Sequence, residues 1–483
     1  MPLLALSNEL LNAIIEFSEF SVARELCKTC HLLNTLATPY LYSTITFENE
    51  SEDISSKHPC HYLFLRTIVN RPDLAKFPKI FQCVWLLRPD HEKLRKIFYR
   101  KPDDIYNPAP SLWDLIRIKV NEASASKKQA KLWHTTIFGL RYSRAPGSDG
   151  ILAFIVCLLP NLKEIHMSEG IFNRGGNAGS IDPTAEFFAP MFAHAVALQT
   201  KQRALEYEIS PYSMSKLTSM LIKNISHGHV PLSKIVHRLE LPSLKKFVVQ
   251  DANDLSPETP FSIPETFTSQ VEDLRFERSN IHLGNLRRLL SSCPSLRRFV
   301  LGHSGSGDAV PFCSTEIIKG LMASKKTLEF IEVRVARAYK DLDFINTGSF
   351  GRPGSFADFP KVKEVVVSAA IILNDSMVRH TSGKIDNEHY IETDRTRAFL
   401  QRIPRSLQKL TLKDCYSYNH TTSTAVVALV REKKRYAPDL KYISLTWRGI
   451  HPSEYRPSKD DLIEAYKEEG IELGVHFKHH NWK

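Results

Sequence analysis

The chain has 483 residues, of which 42% are hydrophobic and 24% are charged, and this composition excludes a disordered chain. Its longest apolar run, residues 151–159, is shorter than the ~20 residues of a membrane span, so we predict no membrane association. The formal net charge is +11, but the basic residues are spread thinly, so we interpret them as solvated surface and expect no nucleic-acid partner.

The cysteines and the N-terminal segment indicate the compartment. Eight cysteines are scattered over the chain, which favours reduced thiols over a disulfide framework. Met1 is followed by apolar residues without a basic segment, so we predict no secretory signal. Together these features predict a cytoplasmic or nuclear protein.

The first predicted element is a helix that begins after Ser7, which can cap it. Glu9 lies in the first turn, where a helix end favours negative charge. The apolar residues that follow recur with helical spacing and predict one continuous apolar stripe. That stripe comprises Leu10, Leu11, Ile14 and Ile15.

Two further short helices are predicted before residue 42. Ser21 can cap the second, and Leu26, Cys30 and Leu33 are spaced to line one helical face, which Leu36 continues. Pro39 is expected to end the third helix, because the residue before a proline is disfavoured in the α region. Residues 43–47 alternate as a β-strand does.

This N-terminal pattern, residues 1–47, resembles the F-box, a module that docks onto the small adaptor of SCF-type cullin ubiquitin ligases. The resemblance covers about a tenth of the chain. It rests on the leucine opening, the Glu-Leu-Leu at 9–11, the isoleucine pair, the Leu-Cys-Lys at 26–28 and the closing "LNTLATPYLY"; Ser7 stands where the family usually has proline. The resemblance implies that the adaptor contacts Leu6, Leu10, Leu11, Ile14, Ile15, Leu26, Leu33, Pro39 and Leu41.

The same helices have a simpler interpretation. Repeat proteins require capping elements at their ends, because a terminal repeat otherwise exposes its apolar face to water. Residues 1–47 would then only cap the region that follows them, and the protein would be a non-catalytic scaffold or interaction protein.

The rest of the chain repeats one short string: an apolar residue, two polar residues, then apolar, polar and apolar residues. This string is the strand half of a leucine-rich repeat. From Leu244 onwards its copies begin 25 to 45 residues apart, which leaves room for a return helix. The clearest eight copies are "LPNLKEIHM", "LPSLKKFVV", "VEDLRF", "CPSLRRFVL", "KTLEFIEV", "FPKVKEVVV", "PRSLQKLTL" and "APDLKYISL".

Helical patterns precede several of these strings, for example Leu283, Leu286, Leu289 and Leu290 before "CPSLRRFVL". The layout resembles the divergent leucine-rich-repeat region of many fungal F-box proteins. We therefore expect an α/β protein in which a three-helix F-box-like module is followed by a leucine-rich-repeat solenoid, a horseshoe, over residues 60–483. Insertions are expected near residues 107–128, 172–190 and 348–360. Upstream, Ile80, Cys83 and Trp85 are expected to face inwards from one strand.

Catalytic and metal-binding motifs are incomplete. Ser304, in "GHSGSG", follows a predicted strand as a hydrolase nucleophile does, but Ser306 occupies the second glycine position. Cys27 and Cys30 have the spacing of half a zinc site, without a second pair. We therefore predict no enzyme, no metal and no cofactor. The predicted function is a substrate receptor, which binds the adaptor and, through it, a cullin, and binds an unknown protein target through the repeats.

Overall fold

The computed structural model shows an α/β protein built on parallel β-strands that follow one another in chain order. Such an order fits a solenoid, in which each repeat packs against its neighbours. The structure describes residues 3–48, 60–84, 110–124, 126–138, 148–169, 185–205, 211–224, 232–254, 267–303, 313–335, 354–373, 396–416, 420–448, 463 and 466–478.

The chain divides into two compact units. The first comprises residues 1–230 and 237–245, and the second comprises residues 231–236 and 246–483. The N-terminal helices thus belong to the first unit, and the division runs through one helix, α9.

The first unit has four parallel strands in the order β1-β2-β3-β4. These are β1 Thr44–Glu48, β2 Ile80–Val84, β3 Glu164–Glu169 and β4 Ser219–Asn224. Its helices are α1 Asn8–Glu16, α2 Phe20–Leu26, α3 His31–Leu41, α4 Cys60–Asn70, α5 Pro110–Ala123, α6 Lys127–Phe138, α7 Ser148–Cys157 and α8 Ala185–Leu205. The dividing helix is α9 Leu232–Leu239.

The second unit continues the same arrangement, with strands in the order β5-β7-β8-β9-β10-β11-β12-β13 and β6 paired with β7. The strands are β5 Lys246–Gln250, β6 Asn253–Asp254, β7 Asp273–Ile281, β8 Arg298–His303, β9 Phe330–Val335, β10 Glu364–Ser368, β11 Lys409–Tyr416, β12 Tyr442–Arg448 and β13 Glu472–Lys478. The helices are α10 Leu283–Ser291, α11 Ser314–Leu321, α12 Ala369–Leu373, α13 His420–Arg431 and α14 Lys433–Tyr436, and residues 396–402 are also helical.

Every one of the eight predicted strings ends in a parallel strand, so the strand prediction is confirmed. The three apolar positions of each string are buried. Neighbouring strands pair in register, so that Phe299 of β8 lies beside Leu274 of β7 and Ile331 of β9. Each strand therefore adds its inward-facing side chains to a continuous row in the core, as the two-residue period of a strand allows.

Strand β2 shows one error in the predicted register. Phe81 and Cys83 are buried, whereas Ile80 is only half-buried. Ile80 pairs with Thr44 and Glu164 on the other face of the sheet, because successive residues of a strand point to opposite sides. Trp85 lies outside the described residues.

The predicted insertions contain regular structure where the chain is described. Residues 107–128 include α5 and the start of α6, and residues 172–190 include the start of α8. Within 348–360, residues 354–360 form turns that precede β10.

Helices α10 and α11 approach each other closely at Gly320. A Cβ atom at this position would lie 2.8 Å from the Leu290 Cβ and 3.0 Å from the Arg287 carbonyl oxygen. The glycine is therefore required by packing, although glycine is a poor residue inside a helix.

We expect Gly320→Ala to destabilise the protein by up to about 2 kcal/mol, because overpacking costs ~1–3 kcal/mol and the gain in helix propensity offsets ~1 kcal/mol of that cost. The midpoint of chemical denaturation measures this change. Gly284→Ala in α10 is the matched control, since a Cβ there meets only the ring of exposed His282 at 3.1 Å, which can move. Equal midpoints for the two variants would contradict the role given to Gly320.

Candidate functional site

Helix α1 begins as predicted, after Ser7. The Ser7 backbone is extended, with φ −66° and ψ 156°, and its side-chain oxygen accepts a hydrogen bond from the Leu10 N–H at 3.5 Å. Glu9 lies in the first turn, and a hydrogen bond from Ser7 holds the pKa of its carboxyl below the usual value. The residue pattern thus predicts the start of the helix correctly, and the negative charge of Glu9 complements the positive end of the helix.

Helices α2 and α3 begin at other residues than predicted. Glu19, not Ser21, precedes the first turn of α2, and the Ser21 hydroxyl donates to the Glu19 carboxylate at 3.4 Å. The helix ends at Leu26, and Cys30 has extended backbone with φ −157° immediately before α3. Leu26, Cys30 and Leu33 therefore do not share a helical face, because a turn separates them.

Pro39 does not end the third helix, which continues to Leu41. The fixed φ of proline is compatible with a helix, so within the last turn the ring removes one N–H donor without stopping the chain. The carbonyls of Thr38 and Tyr40 still accept hydrogen bonds, from the N–H groups of Tyr42 and Ser43, each at 3.1 Å.

The three helices pack around small side chains. Ile15 of α1, Ala23 of α2 and Ala37 of α3 are buried together, and partly buried apolar residues surround them. Leu11 and Leu33 are buried as well. Three of the predicted adaptor contacts, Leu11, Ile15 and Leu33, therefore lie in the interior, and we correct their role from direct contact to support of the module.

The predicted stripe on α1 divides into two faces. Leu10 and Leu11 are ~100° apart around the helix, as are Ile14 and Ile15, because a turn contains 3.6 residues. The inner face is Leu11 and Ile15. The outer face consists of Leu10 and Ile14, continued by Phe17 directly after the helix; these residues are 54%, 40% and 91% exposed. We call these three residues, and not the four of the predicted stripe, the apolar stripe.

The module exposes more apolar surface than the sequence patterns indicated. Of the eleven large apolar side chains that are exposed in the described part of the chain, eight lie between Leu3 and Leu32. A plot of α1 as a helical wheel would have identified Phe17. The others outside the stripe begin or flank short helices, where periodicity gives a weak signal: Leu3, Leu4, Phe20, Val22 and Leu32.

The remaining predicted contact residues are partly accessible. Leu6 is half-buried before α1, and Leu26, Pro39 and Leu41 are half-buried in α2 and α3. Leu26 and Leu41 also pack against the core of the module. Each of these residues could therefore contribute only its exposed part to a contact, whereas the side chains of the apolar stripe are more accessible.

The outward face of the second unit's sheet carries polar side chains that pair with one another, beside Val248, Val300 and Val366. Arg298 of β8 stacks on Phe330 of β9, with 3.7 Å between the guanidinium carbon and the ring centroid. Arg275 donates twice to Asp273 two residues away, which raises the pKa of the guanidinium. Buried Glu332 is paired with Arg334. This face offers hydrogen-bonding and charged groups rather than an apolar groove.

The described residues contain no group of three histidine, cysteine or acidic side chains positioned to hold a metal ion. Cys27 and Cys30 are half-buried free thiols. Within those same ranges, no helix has the length and apolar character needed to cross a membrane. Ser304, the candidate hydrolase nucleophile, lies outside the described residues.

The adjacent isoleucines of α1 should respond differently to truncation. We expect Ile15→Ala to cost about 2–5 kcal/mol, because it opens a cavity in the module, and Ile14→Ala to cost less than ~1 kcal/mol. Hydrogen exchange of the α1 amides in the full chain measures the difference, and faster exchange is expected only for Ile15→Ala. Similar exchange in both variants would contradict the assignment of the two faces.

Comparison with known proteins identifies no family and no function for this chain. No protein-family model matches the chain, and no curated protein matches it. The functional conclusion therefore depends on the exposed residues of the module and on the resemblance of its sequence.

Proposed function

We propose that the protein is a substrate receptor of an SCF-type ubiquitin ligase. Residues 1–47 act as an F-box-like module that binds the adaptor and, through it, a cullin. The strand-and-helix units act as a divergent leucine-rich-repeat region that binds a protein target. The observation that carries the proposal is the concentration of exposed large apolar side chains in the N-terminal helices.

Exposed apolar side chains in such a concentration favour a protein partner. Contiguous apolar patches on soluble proteins commonly mark interaction sites. Fully burying a leucine, isoleucine or phenylalanine side chain contributes about 1.5–3 kcal/mol, so four such residues can supply a large part of the free energy of a contact. Leu10, Ile14, Phe17 and Phe20 are the side chains with this potential on α1 and at the start of α2.

Ser7 is compatible with the proposal, although the family usually has proline at this place. The φ of Ser7, −66°, equals the value to which a proline ring would restrict the backbone. The chain therefore enters α1 in the conformation that proline would impose. Ser7 adds a side-chain cap that proline lacks.

The protein's contribution to ubiquitin transfer would be positional. Holding a target beside the enzyme that carries ubiquitin converts an encounter between two molecules into a reaction within one complex, and such proximity alone accelerates reactions strongly. The repeats supply outward-facing polar groups on a packed scaffold, and this is a suitable surface for holding a target. No catalytic role is proposed for any residue of the chain.

The alternative function is a scaffold whose helices only cap the first repeat. A cap requires one apolar face towards the repeats and a polar face towards water. The exposed apolar stripe is not explained by capping, so we favour adaptor binding.

If the apolar stripe binds the adaptor, charged substitutions in the stripe should weaken that binding. The full chain should co-purify with the adaptor, and Leu10→Asp combined with Ile14→Asp should weaken the association by more than ~100-fold, since two apolar contacts of about 1.5–3 kcal/mol each are lost. Titration calorimetry with purified adaptor measures the change.

The matched control is Leu115→Asp combined with Ile118→Asp, which places the same charges on exposed apolar residues of α5. This control should leave the affinity within about two-fold of the unmodified chain, because surface changes away from an interface have small effects. If the unmodified chain does not bind the adaptor, or if both double variants bind equally, the capping alternative holds instead.

A further inference from the structure

The amino-terminal ends of the strands in the second unit form one continuous edge. The residue just before each strand donates its N–H to the equivalent carbonyl of the neighbouring repeat. Glu329 N–H bonds to Arg297 O, Lys363 N–H to Glu329 O, and Gln408 N–H to Lys363 O, each at 2.8 Å. Side chains separated by 32 to 45 residues in sequence therefore lie side by side, about 4.8 Å apart from strand to strand.

Basic residues predominate at this edge between β8 and β11. Four of them lie in the turns before β9, β10 and β11, and the other four immediately precede or begin a strand. They are exposed or half-buried. We call the set the basic edge: Arg297, Arg298, Lys325, Lys326, Lys361, Lys363, Arg405 and Lys409.

The acidic side chains among them are too few to neutralise the basic edge. Glu329 accepts from Arg297 at 3.0 Å and lies 4.0 Å from Lys363. Hydrogen bonding from Arg297 holds the pKa of the Glu329 carboxyl below its usual value, and the nearby lysines 361 and 363 act in the same direction. Glu364 pairs with Lys409 at 2.9 Å. With exposed Asp358, and with Glu272, which acts on Arg297 from the preceding strand end, four carboxylates face eight basic groups.

We propose that the basic edge binds an acidic, extended peptide segment of the target protein. The inference rests on the proposed function, because it names the chemistry of the target. Charge complementarity supports it: the local excess of positive charge attracts carboxylates and accelerates encounter with them. Four strands span ~15 Å, a distance that an extended peptide crosses in about five residues.

The arrangement favours a peptide over a nucleic acid. A nucleic-acid backbone would bring its phosphates against Glu329 and Glu364, which lie among the basic residues, whereas a peptide can place neutral residues beside them. Phe330 lies at this edge, but Arg298 covers its ring, so the ring face is not open for stacking on a base.

Fluorescence anisotropy with the full chain and a labelled peptide of about ten alternating glutamate and serine residues tests the proposal. The peptide should bind at low ionic strength and be released as salt is added, because exposed charges are screened. Lys361→Glu combined with Lys363→Glu should raise the Kd about ten-fold or more. Lys325→Glu combined with Lys326→Glu, in a turn without a described acidic partner, should act in the same way and guards against a folding defect.

The matched control is Lys127→Glu combined with Lys128→Glu on exposed residues of α6, which changes the net charge equally. We expect the Kd of this variant to stay within about two-fold. The proposal would be overturned if the control pair weakened peptide binding as much as the basic-edge pairs do, or if the unmodified chain did not bind the peptide. Binding only of a phosphoserine peptide, or tighter binding of a DNA duplex of equal charge, would assign the edge to a different ligand and overturn it too.

The two proposals fail separately. Variants of the basic edge should bind the adaptor as the unmodified chain does, and Leu10→Asp with Ile14→Asp should still bind the acidic peptide. Loss of peptide binding with intact adaptor binding therefore concerns the edge alone, and the reverse result concerns the module alone.

Discussion

Neighbouring strands bury each other's apolar side chains, and the rest of the structure depends on this mutual burial. In β8, Phe299 and Leu301 point into the core between the equivalent residues of β7 and β9. A single repeat has no interior of its own, so the hydrophobic stabilisation of ~25 cal/mol per Å² arises only when repeats stack in register. The register that buries these rows of apolar side chains also aligns the outward-facing residues and the strand ends. Outward-facing residues and strand ends are brought into rows without contributing to the core, and they are therefore free to carry charge.

The N-terminal module follows a different packing rule. Its centre contains Ala23 and Ala37 beside Ile15, and small side chains let three short helices approach closely. Such a module of about 40 residues buries little surface and gains little stability from its own interior. Its larger apolar residues, including Phe17 and Phe20, remain at the surface. The module thus leaves several of its largest apolar side chains outside its interior, an arrangement that a partner would complete.

The strands were predictable from sequence because each has two inward-facing apolar residues at a spacing of two, preceded by a third apolar residue three positions earlier. Helix α10 was predictable for a similar reason: its leucines recur with helical spacing and are buried. The start of α2 and the continuation of α3 past Pro39 were not, because a cap or a single missing donor changes the energy by only ~1 kcal/mol, and tertiary packing decides. The basic edge could not be found by scanning for charge runs. Arg297 and Lys363, for example, are 66 positions apart and become neighbours of the same glutamate only through strand pairing.

The division of α1 into two faces has a consequence for how such a protein evolves. Ile15 is held in place by folding, whereas Ile14, one position earlier, contributes little to the core. A polar substitution at Leu10, Ile14 or Phe17 would therefore cost little folding free energy, and selection would act on it mainly through the proposed contact. Folding thus constrains the inner positions of this helix and leaves the outer positions largely unconstrained. If the outer face binds a partner as proposed, a lineage could exchange or lose that partner by single substitutions there while the rest of the chain stays folded.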